Sequence, residues 1–226
     1  MDLYHVLNRG VEKRNIFMDN RDHARFVHDM YEFNDTKPAG NSYRAFPMMD
    51  IVSPSWVPRH AAERERERLV DIHAWCLMGN HYHLLISEIK EGGLSAFLRK
   101  LNVGYAKYFN ERYRRAGTLF QGRTKKILIR NDAHFLHILH YIHLNPLDFN
   151  QKTKEWRTGR LSGHVQALQN LKKHRWSSFL DYCGQKNFPS VITRDLFGDI
   201  FGNYDKTIAE YLRTMDSDIV NEYTLE

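Results

Sequence analysis

The sequence predicts an α+β fold in which helices pack on one side of an antiparallel sheet, followed by a mostly helical C-terminal extension. Three observations carry this. Patterns of strand and helix period alternate in the order strand, helix, strand, strand, helix, strand, helix. The two central apolar runs, Val70 to Met78 and Tyr82 to Ile89, are separated by Gly79-Asn80, a hairpin signal. Leu94, Phe97, Leu98, Leu101, Tyr105, Tyr108 and Phe109 fall on one stripe of a long helix over Leu94 to Arg114.

The remaining elements follow in order. Leu3 to Leu7 alternates like a strand and is broken by Asn8-Arg9-Gly10. Asn20 to Phe33 repeats apolar residues at helical spacing. Lys37 to Pro58 holds four of the six prolines and has no period, which predicts a loop, and with the following charge run it forms an insertion of about residues 37–68. The ERERER run, Glu63 to Arg68, reads as a solvated helix or linker. Lys125 to Ile129 predicts a short strand. Asp132 is a plausible N-cap for a helix that Pro146 stops. Helices are also expected near Arg175 to Tyr182 and Tyr204 to Met215. A catalytic domain over 1–150 and an extension over 151–226 with an acidic tail is the expected division.

Composition limits the function classes. The 226 residues are 42% hydrophobic and 27% charged, ordinary globular values, which argues against wholesale disorder. No run approaches 18 apolar residues, so no transmembrane helix is expected. Two cysteines, Cys76 and Cys183, make no disulfide framework, and the first residues lack a signal-peptide shape; a cytoplasmic protein with reduced thiols is expected. The net charge is +6, unevenly placed. Arg99 to Arg130 carries ten cations and one acid, for +9, and the stretch from Asp195 to Glu226 is −6. A basic groove for a polyanion is expected, with the acidic tail able to cover it. Tyr105, Tyr108, Phe109, Tyr113 and Phe120 interleave with the cations; they suit base stacking, or the core face of an amphipathic helix.

Two motifs could carry chemistry. In a strand, residues i and i+2 share a face, so His81 and His83 would point the same way and could grip one divalent ion. The same pair would also arise as two hydrogen-bonded histidines. Downstream, His137, Tyr141 and Asn145 are four apart on one helix face. A tyrosine can act as a covalent nucleophile and an amide oxygen can complete a metal's coordination; a buried, hydrogen-bonded tyrosine is the plainer outcome. A third arrangement, a zinc site from His73, Cys76, His81 and His83, has suitable donor types.

Taken together, HAWCLMGNHYHLLI, LSAFLRKLNVGYAKYFNERYRRAGTLFQGRTKKILI and YIHLNP, with YHVLNRG before them and RWSSF after, resemble the REP-associated tyrosine transposases of the single-tyrosine HUH transposase superfamily. The resemblance runs from Leu3 to about Tyr182. It implies a ferredoxin/RRM-like sheet, His81 and His83 as a metal-binding pair, Tyr141 as the nucleophile and Asn145 as the third ligand. It also implies cleavage of single-stranded DNA at hairpin-associated repeats. Three positions depart from the family pattern. Gly79 replaces a usual proline. Thr124 replaces a common aromatic, which argues against base stacking there. Leu147-Asp148-Phe149 replaces a basic continuation, which argues against phosphate contacts there.

The chemistry expected is metal-dependent. An N/O site of two imidazoles and an amide suits Mg²⁺ or Mn²⁺ and leaves positions for phosphate and water. Attack by Tyr141 would give a 5′-phosphotyrosine and a free 3′-hydroxyl, so that joining needs no ATP. Arg9, Arg14, Arg123, Lys125 and Lys126 are the candidate DNA contacts, on single-stranded or hairpin DNA, by a monomer or a homodimer. The alternative is an RRM-like nucleic-acid-binding module without catalysis.

Overall fold

The computed structural model describes residues 1–39, 66–159, 161 and 163–215. The predicted Pro-rich loop from residue 40 onward, the start of the ERERER run and the tail from residue 216 lie outside the described residues.

Four strands form one antiparallel sheet: β1 (Leu3–Arg9), β2 (Val70–Leu77), β3 (His81–Glu88) and β4 (Lys125–Leu128), in the order β2-β3-β1-β4. With α1 (Asn20–Glu32) after β1 and α2 (Gly93–Arg112) after β3, this is a ferredoxin-like split βαβ arrangement. The hairpin turn is Gly79-Asn80, closed by Met78 N–H donating to the His81 carbonyl at 2.8 Å. Gly10 ends β1 because nothing larger fits: a Cβ there would lie 2.3 Å from the Arg14 carbonyl oxygen.

Alternation splits the sheet into two apolar faces. Val6, Trp75, Leu77, Tyr82, Leu84 and Ile86 point to α1 and α2 and share a core with Phe26, Met30, Phe97, Leu101 and Tyr105. Leu3, Ala74, Cys76 and Leu85 point the other way. That second face is covered by α3 (Asp132–Leu144), through Ile138, Leu139, Tyr141 and Ile142. Helices were expected on one side of the sheet; they lie on both. Beyond α3 come a 3-10 turn, Asn145–Phe149, a second, Lys154–Thr158, and α4 (His164–Lys173), α5 (Phe179–Tyr182), α6 (Asp195–Phe201) and α7 (Tyr204–Thr214). Trp156, Leu171, Phe179, Phe197 and Tyr204 join α3 in the second core.

The α3 N-cap is Asn131, not Asp132: its side chain accepts from His134 N–H at 2.7 Å. The helix expected over Arg175 to Tyr182 is also shorter, starting at Phe179, because Trp176 to Ser178 pair with the outer edge of β2. Leu77 N–H donates to the Trp176 carbonyl, and Ser178 N–H to that of Trp75. This covers a sheet edge that would otherwise be open.

Candidate active site

β3 presents His81 and His83 on the face that α3 covers. Their cross-strand neighbours on β1 are Arg9 and Leu7. The imidazole centroids are 4.9 Å apart and the rings nearly perpendicular. The site is held by local polar contacts. Asn80 donates its amide N–H to the Lys13 carbonyl at 3.1 Å, so its Oδ1 faces His81 Nδ1 at 2.6 Å. An amide oxygen only accepts, so Nδ1 of His81 carries the proton and Nε2 keeps the lone pair. His83 Nδ1 lies 2.9 Å from His5 Nε2, with the two rings stacked. His5, on β1, escaped the sequence analysis.

Tyr141 arrives from α3. Its ring packs edge-on against His83 at 5.8 Å and His5 at 5.7 Å. The sheet and the helix therefore bring the imidazole pair and the phenol together. Asn145, one turn on, donates Nδ2–H to the Tyr141 carbonyl at 2.8 Å, and its Oδ1 accepts from Arg157 Nη2 at 2.9 Å. Arg157 also donates Nη1–H to Tyr141 Oη at 3.3 Å and is paired with Asp148 at 2.6 Å. Sequence reasoning missed Arg157. It lies 12 residues past Asn145, and only the fold-back of the two 3-10 turns reveals it. Tyr141 has no exposed surface.

Three of the four α3 histidines bond to hydroxyls of the fold. His140 and His143 both meet the Tyr204 hydroxyl, at 3.0 and 2.9 Å, and His143 reaches Ser178 Oγ at 2.8 Å. His137 meets the Tyr211 hydroxyl. Burial pushes the imidazole of His137 down to about 4 and that of His140 to about 3, so both are neutral at pH 7. The zinc arrangement is not assembled. His73 bonds Ser87 Oγ and the Thr193 carbonyl, and Cys76 Sγ lies against Met78 Sδ. Among the described residues no three of His, Cys, Asp and Glu gather to hold a metal ion.

The candidate DNA contacts divide into two sets. Arg9, Arg123 and Lys125 line one open groove with Leu7, Asn8 and Gln121, on the side of the sheet that carries the imidazole pair. Lys126 and Arg14 are elsewhere. Lys126 points to the other face and donates to Ser95 Oγ of α2 at 3.3 Å; the Arg14 guanidinium lies over the Phe109 ring of α2. Several cations of the basic stretch serve the fold instead of a ligand. Arg112 pairs with Asp19 and Asp22, and Lys100 donates to the Asp35 carbonyl. The interleaved aromatics Tyr105 and Phe109 are buried core.

An imidazole pair beside a phenol, with a basic groove opening on the same sheet face, is the outline of a nucleic-acid-processing centre. The family model described as Transposase IS200 like matches residues 57–145, which contain both histidines, Tyr141 and Asn145. Over that segment the chain is similar to the IS200-like transposases. Among solved structures, a REP-associated tyrosine transposase bound to a REP hairpin is similar at 15% identity. The match covers 66% of this chain and 68% of that one, with a TM-score of 0.42. No curated protein matches the sequence. No helix among the described residues is long and apolar enough to cross a membrane.

Proposed function

We propose that the protein is a metal-dependent single-stranded DNA endonuclease and strand transferase that works at hairpin repeats through a 5′-phosphotyrosine formed on Tyr141. The observation that carries the reading is the packing of the Tyr141 ring on His83, inside a face that also opens to Arg9, Arg123 and Lys125.

The donor set fits Mg²⁺ or Mn²⁺. His81 has its Nε2 lone pair fixed by Asn80. His83 likewise offers Nε2 when the proton shared with His5 Nε2 sits on its own Nδ1. Asn145 Oδ1 has two lone pairs, of which Arg157 takes one. These three residues would hold the ion, which supplies polarisation and charge neutralisation at a phosphodiester.

The chain's own residues do the rest. Arg9, Arg123 and Lys125 hold the phosphates of an unpaired strand along the groove. Tyr141 presents its hydroxyl from a helix fixed between the sheet and α7. Burial among His5, His83 and Trp156 keeps bulk water from the nucleophile, so the covalent ester is protected from hydrolysis and stays available to a second 3′-hydroxyl. The noncatalytic RRM-like reading is disfavoured by the packing. Such a module binds through a broad open sheet face, and here α1 and α2 pack on one face and α3 on the other, beside the groove at Arg9, Arg123 and Lys125.

The test uses 5′-extended hairpin oligonucleotides copied from repeats flanking the gene, labelled on the strand that would join the protein. Wild type with Mn²⁺ is expected to give a labelled adduct that survives SDS; Tyr141→Phe is expected to give none while binding the hairpin within about threefold. EDTA should abolish the adduct. A Tyr141→Phe protein that still cleaves removes the nucleophile, and wild type that only binds restores the RRM-like alternative.

A further inference from the structure

We propose that Arg157, contributed by chain beyond the segment the family model matches, receives the scissile phosphate at the nucleophile and holds its non-bridging oxygens during transfer. This deepens the reading above and rests on it.

Arg157 is anchored. Its Nε and Nη2 donate to both oxygens of Asp148, between 2.6 and 3.1 Å. Its side chain lies 4.6 Å over the Trp156 ring and 5.7 Å over that of Tyr141. Those contacts leave the Nη1 edge aimed at Tyr141 Oη, at 3.3 Å, a long bond for N–H···O. A guanidinium held this firmly, with one donor in a long bond to a neutral hydroxyl, is set up to exchange that bond for a stronger one. An anionic phosphate oxygen supplies it, charge-assisted and matched to the planar fork.

The position is also the right one. Tyr141 is wholly buried, whereas the Arg157 side chain keeps 21% of its surface exposed. The Arg157 side chain therefore touches both the buried hydroxyl and solvent. For attack, phosphorus must come to roughly 3–3.5 Å from Oη. Its non-bridging oxygens lie one bond length from phosphorus. A donor 3.3 Å from Oη is within hydrogen-bonding reach of one of them. In the step, the Oη–P bond forms and the P–O3′ bond breaks. The phenol's proton is, in net, the one the departing 3′-oxygen gains through solvent. Arg157 stays charged throughout, because a guanidinium does not deprotonate here. It acts on charge that builds on the equatorial oxygens, where a preorganised donor has its largest effect.

A purely structural Arg157, serving only to tie Asp148 to Asn145, predicts different results. Two measurements separate the roles. In single-turnover cleavage of the hairpin oligonucleotide, Arg157→Ala is expected to be about 10²–10³-fold slower, with part of the rate returned by millimolar guanidinium chloride and Arg157→Lys intermediate. In the Tyr141→Phe background, Arg157→Ala is expected to reduce the salt dependence of hairpin binding by about 0.7 in log Kd per log salt, one phosphate contact on a single strand. An Arg157→Ala enzyme within threefold of wild type overturns the proposal, as does a slow enzyme with no guanidinium rescue and an unchanged salt slope. If Arg157→Ala does not fold, Arg157→Lys carries the same two comparisons. Wild type without an adduct sinks the phosphotyrosine reading instead, and the salt slope then decides alone whether Arg157 meets a phosphate.

Discussion

Thr124 illustrates how one side chain sets a surface. Its Oγ1 accepts from Asn8 Nδ2 at 3.0 Å and from Asn102 Nδ2 at 2.9 Å, and Asn102 Oδ1 accepts from the buried Tyr82 hydroxyl at 2.8 Å. The chain between Arg123 and Lys125 is thereby pinned from below. Thr124→Val keeps the volume and strands two amide donors, so it should lower the unfolding free energy by about 2 kcal/mol, read by urea denaturation. At this scale the sequence showed His81, His83 and Tyr141 because their partners lie two or four residues away, within the pitch of one element. His5 and Arg157 were hidden because their contacts depend on cross-strand register and on the fold-back after Asn145. Thr124 was visible only as a missing aromatic; its structural role needs Asn8 and Asn102, 116 and 22 residues distant.

Among elements, β4 with its preceding loop is the short edge that builds the groove. Arg9 of β1 and Lys125 of β4 share a face, and Arg123 joins them from the loop, whereas Arg14 and Lys126 belong to the α2 side. Arg123→Glu should therefore weaken hairpin DNA binding tenfold or more, and Arg14→Glu less than twofold, by fluorescence anisotropy at fixed salt. Equal effects would mean that the charge of the whole stretch matters and the groove does not. Strands β1 to β3 and helices α1 and α2 were legible because each repeats its own period over seven or more residues. Helices α4 and α6 were not. Val165 is exposed, and in α4 only Ala167 and Leu171 are buried, too few to make a stripe. Arg175 to Ser178 looked helical by composition but serves the edge of β2, a pairing no local pattern announces.

For the whole molecule, the third layer matters most. The sequence pointed to helices on one side because the period of α3 is masked: apolar residues and histidines surround the helix, as they must when sheet lies beneath and α7 above. That burial has a price in acid. His137 and His140 titrate near 4 and 3 in the fold and near 6.5 when unfolded. The unfolded chain binds protons first, so stability is flat above about pH 7 and falls as pH drops through 6.5 towards 4. The loss should be on the order of 2 kcal/mol per histidine at pH 5, measured by denaturant unfolding at pH 7.5 and pH 5. A curve unchanged between the two would show these imidazoles to be open to water.

The two-residue link between β2 and β3 also fixes how the chain can drift over generations. Side chains swap sides with every step along a strand, so one codon gained or lost between Met78 and His81 would turn both imidazoles toward α1 and α2. Point changes at Gly79 can be absorbed; a change of length there cannot, and lineages that keep the activity will keep the spacing.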